Sequence, residues 1–129
     1  MPDTSEILRK YRTIAVVGLS NNRMRPSYGV SQYMKGQGYR ILPVNPGHEE
    51  ILGEKSYRSL EEIPEPVDIV NIFRRSEMIP PVVDSAIAIG AKVVWMQEGI
   101  ENEEAAEKAR AAGLEVVMNT CILKAHRRL

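Results

Sequence analysis

Five short and almost uninterrupted apolar runs recur along the chain, at residues 13–18, 40–44, 67–73, 92–96 and 115–118. A strand that is buried on both faces has this pattern, because a parallel sheet covered by helices has no face in water. Runs of this length, bounded by turn residues, are too short for buried helices of ordinary length. They therefore predict five strands of a covered sheet.

The segments between the runs carry helix signals. Asp3 and Asn102 are suitable N-caps, and glycines follow three of the helical stretches where a left-handed cap is needed. Strands that alternate with helices imply parallel strands joined by right-handed crossovers. The sequence thus predicts a three-layer, Rossmann-like α/β domain with a five-stranded, mostly parallel, doubly wound sheet, spanning 1–129 as a single domain. The predicted helices lie at 3–12, 27–35, 78–89 and 103–112, with a helical turn at 59–63 inside the irregular stretch 51–66.

Composition excludes several classes of partner. Lys plus Arg and Asp plus Glu number 17 each, so the balanced charge predicts no general affinity for nucleic acid or membrane. No apolar run approaches the roughly 20 residues that span a bilayer, and the charged N-terminus does not resemble a signal peptide. A single cysteine, Cys121, cannot form an internal disulfide. These features predict a cytoplasmic protein.

The loop after the first strand is the first candidate for ligand binding. In open parallel sheets, ligands bind at the carboxyl ends of the strands, near the point where the strand order reverses. Gly18 allows a ligand to approach the backbone, and Ser20, Asn21 and the N-terminus of the next helix offer donors to a phosphate. Arg23 and Arg25 add positive charge. An ordinary turn with solvated arginines is the alternative.

The second strand end distinguishes between nucleotide ligands. An NAD-binding domain usually places Asp or Glu here to bind the ribose, yet the first acid is Glu49, beyond a Pro-Gly turn. The first loop also lacks the three-glycine pattern of dinucleotide enzymes. A 3′-phosphorylated ribose would instead suit Asn45, His48 and free backbone amides around Gly47. His48 as a solvated loop residue is the alternative.

The third and fourth strand ends add further polar groups. Arg74 and Arg75 follow the third strand, and we expect at least Arg74 to face an anion rather than form a surface ion pair. The fourth strand ends in the polar turn Gln97 to Gly99, while Trp95 is expected in the core.

Catalytic and metal-binding patterns are weak. Cys121 and His126 lie five positions apart near the C-terminus, and no Asp or Asn is placed to orient the histidine. One cysteine and two histidines match no standard zinc spacing. We therefore expect no catalytic residue and no metal, with Cys121 and His126 in structural roles.

Taken in order, the motifs at the strand ends match a known family. The chain resembles the small CoA-binding proteins of bacteria and archaea, and its fold is similar to that of the N-terminal domain of the succinyl-CoA synthetase alpha subunit. The resemblance covers essentially the whole chain. Its motifs are VVGLS at 16–20, RPSYGV at 25–30, PVNPG at 43–47, EILGEKSYRSLEEIPEPVDIV at 50–70, FRRSE at 73–77, VVWMQEGI at 93–100 and NTCILKAHRRL at 119–129.

The resemblance implies coenzyme A as ligand, with its pyrophosphate on the loop after the first strand and its nucleotide between the second and third strand ends. It does not imply catalysis, because the phosphorylated histidine of the synthetase belongs to another domain. The predicted ligand-contacting residues are Gly18, Leu19, Ser20, Asn21, Arg25, Ser27, Val44, Asn45, Pro46, His48, Phe73, Arg74, Gln97 and Gly99.

Two positions depart from the family pattern. Gly47 and His48 stand where members commonly carry Lys or Arg, and Asn119 and Thr120 stand where they commonly carry an Asp-Arg pair.

The expected function is non-catalytic binding of CoA or an acyl-CoA. The alternatives are an NAD(P)-binding protein, the CoA-binding subunit of an acyl-CoA ligase with a protein partner, and a redox regulator that forms a mixed disulfide between Cys121 and CoA.

Overall fold

Helices and strands alternate as predicted in a computed structural model that describes residues 2–129. Met1, the first residue of the predicted domain, lies outside the described residues. The strands are β1 Thr13–Val17, β2 Arg40–Val44, β3 Glu50–Ile51, β4 Glu54–Lys55, β5 Ile69–Ile72, β6 Val93–Met96 and β7 Glu115–Val117. The helices are α1 Thr4–Lys10, α2 Pro26–Gly36, α3 Ile79–Ala88, α4 Glu103–Ala111 and α5 Ile122–Arg127, with 3-10 turns at Leu60–Glu62 and Ser76–Met78.

The main sheet has the order β2-β1-β5-β6-β7, and every neighbouring pair is parallel. The chain runs from β1 outward to β2 and then returns past β1 to β5. The strand order therefore reverses between β1 and β5, which is the position at which doubly wound folds bind ligands. This confirms the predicted fold class, and the sheet is wholly rather than mostly parallel.

Helices cover both faces of the sheet. Helices α1, α2 and α5 pack on the face that carries Ile14 and Trp95, whereas α3 and α4 pack on the face that carries Val70. Trp95 has no exposed surface, as predicted, and its Nε1 donates to the Thr120 carbonyl at 2.8 Å. Each large apolar side chain buried in this way contributes about 1.5–3 kcal/mol to stability.

Local signals explain where the helices begin. The side chain of Asp3 accepts from two backbone amides at the start of α1, and that of Asn102 accepts from Ala105 N at the start of α4, so both predicted N-caps are confirmed. Helix α2 begins one residue earlier than predicted, at Pro26, because a proline at the first helical position loses no hydrogen bond. Across residues 2–129, none of the helices has the length and apolar character that a bilayer crossing requires.

The stretch 51–66 contains a feature that the sequence did not predict. Strands β3 and β4 form a two-stranded antiparallel hairpin whose turn residues, Leu52 and Gly53, have φ values of 57° and 73°. Such paired positive φ values are typical of a tight hairpin turn. Beyond the hairpin, Tyr57 pairs with the outer edge of β2, because its N–H donates to Pro43 O and its carbonyl accepts from Asn45 N, each at 2.9 Å. This pairing brings the segment after the hairpin to the carboxyl end of β2.

Candidate ligand-binding site

A cleft of about 640 Å³ opens at the carboxyl edge of the sheet, where the strand order reverses. This volume is within the range of small-molecule pockets, about 300–1,000 Å³. The loops after β1, β5 and β6 and the first turn of α2 form its walls. The lining residues are Gly18, Ser20, Arg25, Pro26, Ser27, Phe73, Arg74, Arg75, Ser76, Glu77, Gly99 and Ile100.

Gly18 joins the loops after β1 and β5. Its φ is +86°, and a Cβ at this position would lie 2.4 Å from the backbone oxygen of Phe73 and 3.0 Å from Cδ of Arg74. Its N–H donates to Val44 O at 3.0 Å. Only a residue without a side chain fits between these backbones, so the floor of the cleft here is formed by main chain.

The loop after β1 is held by its own side chains. Ser20 Oγ accepts from Asn22 N at 3.0 Å, and Asn22 Oδ1 accepts from Met24 N at 2.9 Å. Ser27 Oγ accepts from Ser20 N at 2.9 Å. The two serine hydroxyls use their oxygens as acceptors, so their O–H groups remain available to donate to a ligand.

The cleft is electrostatically suited to an anion. Arg25 is the N-cap of α2, its side chain makes no capping bond, and the first turn of α2 contains no acidic residue. Arg25 and Arg74 line the cleft and form no ion pair within residues 2–129, whereas Arg75 pairs with Glu77 at 3.4 Å. A helix N-terminus beside two unpaired arginines attracts negative charge.

At the second strand end, Asn45 fixes the turn rather than facing a cavity. Its Nδ2 donates to Leu19 O at 3.0 Å, and its Oδ1 accepts from Gly47 N at 2.8 Å. His48 N donates to the Asn45 carbonyl at 3.4 Å. The expectation of free amides around Gly47 is therefore wrong for Gly47 and His48, because the turn itself uses these two donors.

A second cavity, of about 510 Å³, lies beyond this turn. It contains the cations Lys55 and Arg58 and the carboxylates Glu49 and Glu62 together with His48. Sequence reasoning missed the two cations and Glu62, because the hairpin brings them here and no local pattern marks that placement. The complete lining is Pro46, Gly47, His48, Glu49, Lys55, Ser56, Arg58 and Glu62.

A smaller apolar slot, of about 170 Å³, adjoins the second cavity. Val17, which directly precedes Gly18 of the cleft, lines it, and Arg58 is shared with the second cavity. Its other lining residues are Val44, Ser59, Leu60, Pro81, Val82 and Ser85. All three spaces therefore include residues at the carboxyl edge of the sheet.

The predicted contact residues are distributed unevenly among these spaces. Gln97 is buried, since its Nε2 donates to Asn71 Oδ1 at 2.6 Å and its Oε1 accepts from Ile122 N at 3.4 Å. Leu19 is fully buried in the core. The cleft includes Gly18, Ser20, Arg25, Ser27, Phe73, Arg74 and Gly99; the second cavity includes Pro46 and His48; the slot includes Val44; and Leu19, Asn21, Asn45 and Gln97 line none of the three.

Asn119 has a distinct backbone conformation and holds a turn at the edge of the cleft. Its φ is +51°, a conformation that Asn tolerates better than most residues, and its Oδ1 accepts from Gly99 N at 2.6 Å. The bond fixes the turn after β6, which forms one wall of the cleft.

Cys121 and His126 have separate surroundings. Cys121 is the N-cap of α5 and is partly exposed. The Nδ1 of His126 is 2.8 Å from the hydroxyl of Tyr33, and its ring also makes an edge contact with Tyr39. Residues five positions apart lie on different faces of a helix, so α5 does not present these two side chains as a pair.

An open, wholly parallel, doubly wound sheet with a cationic cleft at its switch point defines an α/β protein of the Rossmann-like class. The chain belongs to the CoA binding domain family, whose model matches residues 12–127. The predicted resemblance is therefore confirmed.

Individual relatives agree with this assignment. The chain is 47% identical over 124 residues to the uncharacterized protein YneT of Bacillus subtilis, covering 96% of this chain and 92% of YneT. It is 31% identical over 122 residues to the alpha subunit of ADP-forming acetate–CoA ligase II of Pyrococcus furiosus, covering 86% of this chain and 27% of that subunit. A hypothetical protein from Pyrococcus horikoshii OT3 has the same fold, with a TM-score of 0.96, 42% identity, and 98% and 89% of the two chains covered.

Proposed function

We propose that this chain binds coenzyme A or an acyl-CoA along the carboxyl ends of its strands and performs no chemistry on it alone. One observation carries the proposal: the cleft at the switch point combines the main-chain floor at Gly18 with the unpaired guanidinium groups of Arg25 and Arg74. A pyrophosphate needs both close backbone approach and positive charge. Membership of the CoA binding domain family supports CoA as the source of that pyrophosphate.

The three spaces match the parts of the ligand in order. The pyrophosphate occupies the cleft, and the adenosine lies in the apolar slot against Val17, Val44 and Leu60. The ribose 3′-phosphate then faces the second cavity. The pantetheine arm leaves past Phe73 and Ile100, the two large apolar residues of the cleft.

NAD fits this arrangement less well. A dinucleotide domain holds the ribose diol with a carboxylate at the end of its second strand, where this chain has Asn45 with its side chain committed to the turn. Titration calorimetry with CoA and NAD tests the proposal, and native mass spectrometry of the purified protein identifies any ligand it retains. We expect at least tenfold tighter binding of CoA, and tighter binding of NAD would contradict the proposal.

A second function, as the CoA-binding part of an acyl-CoA ligase, is favoured by the 31% identity to the ligase alpha subunit, of which the chain spans 27%. Such a role requires ligase machinery beyond the 27% of the subunit that this chain matches. Affinity capture that recovers an ATP-grasp partner, followed by acyl-CoA formation only when the two are mixed, would establish it. Capture without acyl-CoA formation would leave ligand binding as the function.

A further inference from the structure

Side chains supply the positive charge of the second cavity. Asn45 accepts hydrogen bonds from the backbone amides of Gly47 and His48, at 2.8 and 3.4 Å, so the turn itself uses these two donors. The cations that line the cavity are Lys55 of β4 and Arg58 of the segment after the hairpin.

Arg58 is the better placed of the two cations. Its side chain lines both the second cavity and the apolar slot, so it lies at the junction between the proposed adenosine and ribose phosphate positions. It is exposed and forms no ion pair within residues 2–129. Lys55, by contrast, has its Nζ 5.3 Å from the ring centre of Tyr57.

The pairing of Tyr57 with β2 fixes the position of the backbone from which the Arg58 side chain extends. Tyr57 N and O both bond to the β2 edge at 2.9 Å, and Ser56 Oγ donates to the Asn45 carbonyl at 3.0 Å. Arg58 therefore extends from a backbone that is tied to the carboxyl end of β2. Because this backbone is already ordered, less freedom is lost there when the side chain binds a ligand.

We propose that Arg58 is the specificity-determining residue for the ribose 3′-phosphate, so that this chain selects CoA over ligands that lack this group. This inference rests on the proposed function. A phosphate monoester carries about −1.5 to −2 charge, and the planar guanidinium can donate two parallel hydrogen bonds to it. The segment after the hairpin thus supplies a positive charge at this position.

The carboxylates in the cavity make phosphate binding there depend more strongly on Arg58. Glu49 and Glu62 line the same space and oppose a phosphate. Without Arg58, Lys55 would be the one lysine or arginine among the described residues that line this cavity, against two acids. In that case the 3′-phosphate would lower the affinity for the ligand rather than raise it.

The test compares CoA with 3′-dephospho-CoA, which differs only at this group, by titration calorimetry. We expect the parent protein to prefer CoA, and Arg58→Ala to weaken CoA about 10- to 100-fold while the affinity for 3′-dephospho-CoA stays within about twofold. Arg58→Lys keeps the positive charge but cannot donate two parallel hydrogen bonds, so it should keep part of the preference for CoA over 3′-dephospho-CoA. Arg9→Ala, which removes an exposed arginine from the last turn of α1, is the control and should leave both affinities unchanged.

Neutralising a carboxylate should have the opposite effect. Glu62→Gln should raise the affinity for CoA about 1.5- to 5-fold, as expected for an exposed charge pair, without affecting 3′-dephospho-CoA. An Arg58→Ala protein that keeps the CoA preference of the parent would overturn the inference while leaving CoA binding intact. A parent protein that binds neither ligand would instead refute the proposed function.

Discussion

At Gly18 the backbone alone forms the floor of the cleft, and one added methyl group tests this arrangement. The Cβ of Gly18→Ala would lie 2.4 Å from the Phe73 carbonyl oxygen, on a backbone with φ of +86°. Because the loop after β5 would have to move, we expect the free energy of unfolding to fall by about 1–3 kcal/mol and CoA binding to weaken. Urea denaturation and titration calorimetry measure the two effects.

Gly29 provides the matched control in α2. A Cβ built there has no atom within 4 Å, and its backbone is helical. Gly29→Ala should therefore raise the free energy of unfolding by about 0.5–1 kcal/mol and leave CoA affinity unchanged. Equal stability of the two alanine variants would show that Gly18 is not sterically required.

Arg25 and Arg74 should contribute to affinity and not to stability. Neither forms an ion pair within the described residues, so their removal breaks no native contact of that kind. If each donates to the pyrophosphate, Arg25→Ala and Arg74→Ala should each weaken CoA about 10- to 150-fold, with little change in the melting temperature of the free protein. A loss of stability with unchanged affinity would instead identify structural roles and place the phosphates elsewhere.

At the residue scale, the sequence could place Gly18, Arg25 and Arg74 at the cleft because each follows a strand end or opens the next helix. It could not place Arg58, which reaches the same edge only because Tyr57 pairs with β2. The sequence also places Gln97 among the ligand contacts, whereas in the structure its side chain bonds to Asn71. A position at the end of a strand does not show whether a side chain faces the cleft or the core beneath it. The ligand contacts of all these residues stay a prediction.

Among the elements, the β3–β4 hairpin and the segment after it are held by a charge network at the outer edge of the sheet. Arg40 Nε and Nη2 donate to the two carboxylate oxygens of Glu65 at 3.1 and 3.0 Å, and Arg40 Nη1 donates to Glu54 at 3.2 Å. Lys35 Nζ also pairs with Glu54, at 3.1 Å. The network ties α2, β2 and β4 to the segment before β5.

The pH dependence of this network is a test at the element scale. The hydrogen bonds from Arg40 lower the pKa of Glu65 below its ordinary value. The pair therefore stabilises the fold above the ordinary carboxyl pKa, about 4.3, and its contribution is lost as the pH falls through the lower, folded pKa. Glu65→Gln should lower the free energy of unfolding by about 0.2–1 kcal/mol at pH 7, a difference that shrinks in acid and in high salt.

Glu61→Gln is the control for that series, because Glu61 is exposed in the neighbouring 3-10 turn and forms no ion pair within residues 2–129. Chemical denaturation across the acid range would compare the two variants. A Glu65→Gln penalty that is the same in acid as at pH 7 would mean that the pair contributes packing rather than charge.

The elements themselves could be predicted to the extent that a local pattern specifies them. The five main strands were found from their apolar runs, and Asp3 and Asn102 marked two helix starts. Strands β3 and β4 have two residues each, which is too short for any periodicity to register. The position of this hairpin depends on tertiary contacts such as the pairing of Tyr57 with β2, which a local pattern does not reveal.

For the whole molecule, neutral net charge and a charged cleft are compatible because the charges are segregated. The chain balances 17 basic against 17 acidic residues, yet Arg25, Arg74 and Arg75 meet only Glu77 at the cleft. Parallel topology produces this concentration, since every strand delivers its following loop to the same edge of the sheet. The fold class could therefore predict where charge accumulates, although not the identity of the ligand.

The same topology bears on catalysis, because it decides which reactive groups share an edge. Cys121 lies at the N-terminus of α5, after β7, whereas His126 lies at the other end of that helix against Tyr33. Within residues 2–129, no base hydrogen-bonds to Cys121, and His48 lies in the second cavity beyond β2. A thiol without an adjacent base is a poor catalyst of thioester hydrolysis.

We therefore expect acetyl-CoA to bind and to be recovered intact, with a hydrolysis rate equal to that of buffer in a thiol-release assay. Cys121→Ser should bind acetyl-CoA with the same affinity as the parent, and turnover by the parent that this variant abolishes would contradict a purely binding role.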